Sequence, residues 1–192
     1  MSKPPIGVLA LQGDVREHLR LLTSLGVPAV AVRRPDELDA VAGLVLPGGE
    51  STTMIRLARI FDLVEPLRSR IAEGMPAFGT CAGMILLADR VLDGIEGQET
   101  LGGLDITVRR NAFGRQVDSF EAEIDAPELG GRVRGVFIRA PRLASTGPAV
   151  EVLGRLGDAA VLVRQGRVLA ATFHPEIAGD HRLHRLFIGL AA

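Results

Sequence analysis

The chain has 192 residues, 47% apolar and 23% charged, with a formal net charge of −1, enough to close one core without covalent staples. It has no basic surplus to meet a phosphate backbone and no uncharged apolar run long enough to span a bilayer, so neither a nucleic acid nor a membrane is an expected partner. One cysteine excludes an intramolecular disulfide framework, and Met1-Ser2-Lys3-Pro4-Pro5 shows no signal-peptide pattern, which predicts a cytoplasmic protein.

Ile6 to Leu11 is a continuous apolar run, the pattern of a strand covered on both faces. Gln12-Gly13 makes the turn. Asp14 with Glu17 three residues later predicts a capping box, Val15, Leu19 and Leu22 repeat at helical spacing, and Gly26 is placed to end the helix. Short strands are predicted at 29–32 and 43–46, separated by a polar turn around Pro35-Asp36. The second of them runs into Pro47-Gly48-Gly49-Glu50-Ser51, with a helix from about Thr52 and another over roughly 62–73.

The next stretch, Pro76 to Met84, reads as a buried strand that breaks at Gly79-Thr80-Cys81-Ala82-Gly83 into a helix from Ala82 to about Val91. Glycines on both sides of a reactive side chain fit a tight strand-to-helix elbow, where they permit unusual φ/ψ and keep bulk away from the apex. At a helix N-terminus the Cys81 side chain faces unpaired N–H groups and the positive end of the dipole, which favours the thiolate nucleophile. A lone cysteine is ordinarily a small buried hydrophobe; the glycine-flanked elbow makes Cys81 a candidate nucleophile instead.

From about Leu101 the pattern turns to short strands, at 105–109, 120–124, 134–138, 150–153, 160–163 and 168–172, with a hairpin at Gly166. A closing helix spans roughly 181–190. The whole reads as an α/β protein with a single domain over 1–192: a three-layer flavodoxin-like fold, its central sheet mostly parallel with helices on both faces and antiparallel additions in the C-terminal half. In such sheets sites form at the carboxyl ends of strands, where Gly48-Gly49 and Cys81 both fall.

A cysteine nucleophile needs a base, and the base an orienting partner. His174 follows the last predicted strand directly, and Glu176 stands two residues on, across a stiff proline, so both are candidates for those roles. His18 reads as a surface or boundary residue. His181 and His184 superficially resemble metal ligands beside Asp180, but no further ligands at a recognisable spacing accompany them, so they read as solvated and no metal is expected. The Gly48-Gly49 loop lacks the ending of a P-loop, and the dinucleotide glycine pattern is absent, so no cofactor is expected. Beside a nucleophilic cysteine, N–H groups of Gly48, Gly49 and, at the elbow, Ala82 are better used as an oxyanion hole.

The Gly79–Gly83 elbow, the His174-Pro175-Glu176 turn and the Pro47-Gly48-Gly49 loop together resemble class I (triad-type) glutamine amidotransferases. LALQGDVREH (9–18), LPGGESTTM (46–54), RNAFGRQVDSFE (110–121) and VFIRAP (136–141) narrow the resemblance to the glutaminase subunits of pyridoxal 5′-phosphate synthase, essentially end to end. The resemblance implies Cys81 as nucleophile, His174 as general acid/base and Glu176 as its orienter. It also implies that L-glutamine is held by Gly49, Glu50, Ser51, Arg110, Ile138 and Arg139. The implied partner is a (β/α)8-barrel synthase subunit that receives the ammonia, in an assembly of twelve copies of each.

Overall fold

The computed structural model describes residues 4–94, 98–110 and 119–192. The first half runs β1 (Ile6–Leu9), α1 (Val15–Ser24), β2 (Ala29–Val32), α2 (Pro35–Asp39), β3 (Gly43–Leu46), α3 (Ser51–Ile60), α4 (Val64–Ala72), β4 (Ala77–Thr80) and α5 (Ala82–Leu87). The second half runs β5 (Ala88–Leu92), β6 (Leu104–Arg109), β7 (Phe120–Ala126), β8 (Gly131–Phe137), β9 (Arg142–Thr146), β10 (Glu151–Leu156), β11 (Ala159–Gln165), β12 (Val168–Ala171), α6 (Pro175–Ala178) and α7 (Arg182–Leu190). Most of the stretch 110–121 used for the narrower resemblance lies outside the described residues, at 111–118.

The main sheet has the order β2-β1-β3-β4-β12-β11-β10-β7-β8. Every pairing from β2 to β12 is parallel, and every pairing from β12 to β8 is antiparallel. This is the expected α/β architecture, with the antiparallel strands of the second half extending one edge of the parallel core. Strand residues alternate between two cores, as a pleat with a period of two requires. Leu44 and Leu46 face one core, with Met54, Leu63 and Leu67 of the segment α3–α4. Val45, Phe78, Leu169 and Ala171 face the other, with Leu22 of α1 and Leu183 and Phe187 of α7.

Three local expectations are corrected. The helix after Cys81 ends at Leu87 rather than Val91, because Ala88 turns extended (φ −68°, ψ 140°) and the chain pairs in parallel with β6. Arg90 then donates to Thr107 Oγ1 at 2.8 Å and Asp105 Oδ1 at 2.6 Å, contacts that no local periodicity encodes. β9, which completes this small sheet against β6, is mostly exposed and carries no apolar period to announce it. The polar turn at Pro35-Asp36 is a five-residue helix: Pro35 occupies the first turn, and the Glu37 carboxylate accepts from the N–H groups of Arg33 (2.6 Å) and Arg34 (3.1 Å).

β3, β4 and β12 are neighbours in register, Leu46 beside Gly79 and Ala171 beside Thr80. Their carboxyl ends therefore deliver the Gly48-Gly49 loop, Cys81 and His174 side by side. Among the described residues no helix is long and apolar enough to cross a membrane.

Candidate active site

Cys81 sits between β4 and α5 with φ 49° and ψ −104°, a left-handed conformation that costs a non-glycine residue about 1–3 kcal/mol. Its N–H donates to Ala171 O of β12 at 2.8 Å, which pins the strained residue to the sheet. The flanking glycines do not supply the unusual φ/ψ expected of them, since neither Gly79 nor Gly83 takes positive φ. They are needed for close packing: a Cβ on Gly79 would meet the Gly83 carbonyl carbon at 2.5 Å, and one on Gly83 would strike the backbone of Leu46. The strain of the elbow falls on the cysteine itself.

His174 caps α6, and its N–H is held by Val136 O of β8 at 2.8 Å. Its ring Nδ1 lies 2.7 Å from Glu176 Oε1 and 3.3 Å from Asp14 Oδ2, while the Cys81 side chain is hydrogen-bonded to the ring as well. Burial pushes the imidazole pKa down, but the hydrogen bonds to Asp14, Cys81 and Glu176 and the charge of Glu176 outweigh it and push the value up to about 12. Burial raises the Glu176 carboxyl, and the contacts with His174 only partly oppose it. With two carboxyl groups and a thiol converging on one ring, the governing direction is toward the protonated imidazole.

Asp14 does not cap α1 through its side chain, so the expected capping box is not formed. Its carboxylate turns to His174, and its N–H donates to Gly48 O at 3.0 Å. Gln12 Oε1 accepts from Glu50 N–H at 2.8 Å. The turn Gln12–Asp14, read from the sequence as a turn and a cap, thus forms one wall of the site. Only its place in the LALQGDVREH stretch signalled more than a turn.

A cleft of about 480 Å³ opens over Cys81 and His174, lined also by Gly49, Glu50, Ser51, Ala82, Arg110, Ile138 and Arg139. Of the residues singled out in the sequence, only Gly48 and Glu176 stand outside this lining. Gly48 lies against the edge of the His174 ring, and Glu176 is buried behind that ring. Glu50 caps α3, accepting from Thr53 N–H at 3.2 Å, and pairs with Arg110 Nη2 at 3.0 Å. Burial raises its carboxyl, but the hydrogen bonds from Thr52 and Thr53 and the charge of Arg110 prevail and hold it below the ordinary value. Gln98, unmarked by any motif, accepts from Arg110 and donates to Ser51 Oγ at 3.3 Å. Ile138 O faces Cys81 Sγ at 3.8 Å, and Arg139 takes a positive φ of 44° at the turn leaving β8.

Two of the other histidines depart from expectation, and His181 does not. His18 and His184 are both fully buried, joined Nδ1 to Nε2 at 2.9 Å, while His181 is exposed. The two rings meet where α1 and α7 enter the same core, which closes both off from water.

An α/β sheet with a strained cysteine elbow, and an imidazole and a carboxylate at the next strand end, defines an amidotransferase-type site. The chain belongs to the SNO glutamine amidotransferase family, which it matches over residues 8–191. It is 68% identical to the "Pyridoxal 5′-phosphate synthase subunit PdxT" of Nocardioides sp., over 98% of this chain and 96% of that one. It is 64% identical to the subunit of the same name from Acidothermus cellulolyticus, over 100% and 95%. A crystal structure of a glutamine amidotransferase, 52% identical, matches with a TM-score of 0.91 over 97% of this chain and 98% of the other. The structure of PurLQS from Thermotoga maritima, 18% identical with a TM-score of 0.75 over the full length of both, shares the fold.

Proposed function

We propose that this chain is a glutaminase subunit that hydrolyses L-glutamine and passes the ammonia to a synthase subunit making pyridoxal 5′-phosphate. The observation that carries the reading is a single cleft lined both by Cys81 and His174, the latter backed by Glu176, and by an opposite-charge pair, Glu50 and Arg110, 3.0 Å apart. A free amino acid is a zwitterion, and such a pair offers one group to its carboxylate and another to its ammonium. Gly49, Ser51, Ile138 and Arg139 complete the pocket. The names of the relatives support the synthase coupling.

In this reading the thiol proton of Cys81 passes to His174, and the thiolate attacks the side-chain amide carbon of glutamine. Negative charge develops on the former carbonyl oxygen, and the donors this reading assigns to it are N–H groups of the Gly48-Gly49 loop and of Ala82, a first-turn N–H with no acceptor within α5. The imidazolium of His174, oriented by Glu176, protonates the departing nitrogen, and ammonia leaves a γ-glutamyl thioester. Water, deprotonated by His174, attacks the thioester, releases glutamate and returns the proton to sulfur. The reading includes a single amidotransferase domain over 1–192, a cytoplasmic location, and a (β/α)8-barrel partner in an assembly of twelve subunits of each kind.

Glutamate release from L-glutamine, measured for the chain alone and with the synthase subunit added, tests this. Stimulation by the synthase that disappears in Cys81→Ala is the expected result. Full activity alone, indifferent to the synthase, would assign the chain to a different ammonia acceptor. No glutamate in either case would end the glutaminase reading.

A further inference from the structure

Behind the cleft lies a chain of buried polar groups that the proposed reaction does not use. His18 Nε2 stands 3.2 Å from Thr80 Oγ1 and 3.5 Å from Glu176 Oε1, the oxygen that also holds His174. His18 Nδ1 contacts His184 Nε2 at 2.9 Å, and His184 Nδ1 has no hydrogen-bond partner among the described residues. The groups facing this chain are few. Among the described residues they are Asp14 at the head of α1, Thr80 of β4, the backbone of Val136 of β8, His174 beside α6, and His181 at the start of α7.

The proton positions follow by elimination. Each ring is neutral, since burial and the neighbouring histidines hold both pKa values far below the ordinary one. Each neutral ring therefore carries one N–H. A proton on His18 Nδ1 would be donated to His184 Nε2, forcing the His184 proton onto Nδ1, where it would be a buried donor with no acceptor. It would also leave the bare His18 Nε2 lone pair facing the Glu176 carboxylate. The opposite choice removes both penalties. His184 Nε2–H donates to His18 Nδ1, and His18 Nε2–H points at Thr80 and Glu176. Of the ring nitrogens, the one then unpartnered among the described residues is a bare acceptor, His184 Nδ1, which is the cheaper group to leave unsatisfied; Glu176 Oε2, also buried without a partner, is a second bare acceptor in either case.

We propose that His18, locked by His184 in its Nε2–H tautomer, is a positioning residue that holds Glu176 ionised and aimed at His174. At 3.5 Å the contact is longer than a full hydrogen bond, so its effect is that of an N–H dipole shared between Thr80 and the carboxylate. A donor facing Glu176 lowers its proton affinity. The ring proton of His174 therefore stays on Nδ1 instead of moving to the carboxylate, and the imidazolium remains available to protonate the leaving nitrogen. The role rests on the glutaminase reading; the tautomer does not.

Two measurements decide it. With the full chain labelled with ¹⁵N-histidine, long-range ¹H–¹⁵N correlation spectra report each ring's tautomer, and His18→Gln and His184→Gln assign the signals. Neutral Nε2–H rings for both residues at pH 7 are expected; an Nδ1–H or cationic His18 overturns the proposal whether or not the chain is a glutaminase. With the synthase subunit present, His18→Leu should lower kcat by up to about tenfold at unchanged KM, the contact being weaker than one full hydrogen bond to a charged group. Its acid limb should move to higher pH, because Glu176 loses a donor. His18→Gln, which keeps an N–H, should recover most of the rate. An unchanged kcat and pH profile in His18→Leu refutes the role. Should that variant fail to fold, an acid limb in His18→Gln that coincides with wild type and a Nε2–H tautomer in the wild type stand together as support, and a Nδ1–H tautomer refutes it.

Discussion

Gly48 occupies a position where no side chain fits. A Cβ there would overlap His174 Cε1, come within 2.8 Å of Nδ1, and stand 2.9 Å from Asp14 Oδ2. Any larger residue must therefore push the imidazole away from either Cys81 or Glu176. Gly48→Val should lower synthase-stimulated glutamate release by at least about a hundredfold, the low end of what a positioned general acid/base contributes. The fold should survive, since the strain can be relieved at the open side of the cleft. Turnover and circular dichroism on the same sample check both halves, and wild-type turnover would show that the ring is not confined by this loop. From the sequence, Gly48 and Gly49 read as donors of an oxyanion hole. In the structure Gly48 is also a steric requirement of the His174 ring.

At the scale of elements, the junction of β4, α1 and α7 carries the site from behind. Phe78 is fully buried, meets the His184 ring edge-on with centroids 5.3 Å apart, and lies 5.7 Å from Phe187. Removing it leaves a cavity against the buried histidines as well as losing apolar contact. Phe78→Ala should destabilise the chain by about 3–5 kcal/mol, read as a lower urea midpoint at constant slope. A loss below 1 kcal/mol would mean that α7 collapses onto the sheet and closes the gap.

For the molecule as a whole, the histidines set opposing pH dependences. His18 and His184 have folded-state pKa values below the unfolded 6.5, His184 at about 3. The stability they confer is complete above about pH 6.5 and is lost as pH falls, by up to about 1.4 kcal/mol per pH unit for each proton. Glu176, raised by burial, opposes them from pH 4.5 upward, as one group against two. His174 has the reverse sign. Its contribution is full below about pH 6.5 and declines as pH rises toward about 12. Thermal unfolding should therefore show a maximum near neutrality with a steep acid side. In a His18→Gln, His184→Gln double variant the acid side should flatten. An equally steep acid side in that variant would place the acid sensitivity elsewhere.

The sequence by itself determined the parallel core, because uninterrupted apolar runs such as Ile6–Leu9 and Gly43–Leu46 can be buried only between two layers. It also marked Cys81, His174 and the Gly48-Gly49 loop, because breaks from strand to loop or helix leave glycine and proline at fixed local positions. What depends on contacts between distant segments was left to the tertiary structure. Asp14 looks like a cap until β3 and β12 bring Gly48 and His174 beside it, and His18 looks exposed until α7, more than 160 residues on, covers it. The helix after Cys81 stops at Leu87 because β6 offers a hydrogen-bonded edge, and β9 forms for the same reason. Local pattern fixes which segments must be buried. Which polar groups they carry inward with them, and in which protonation state, is decided only when the two cores close around the sheet.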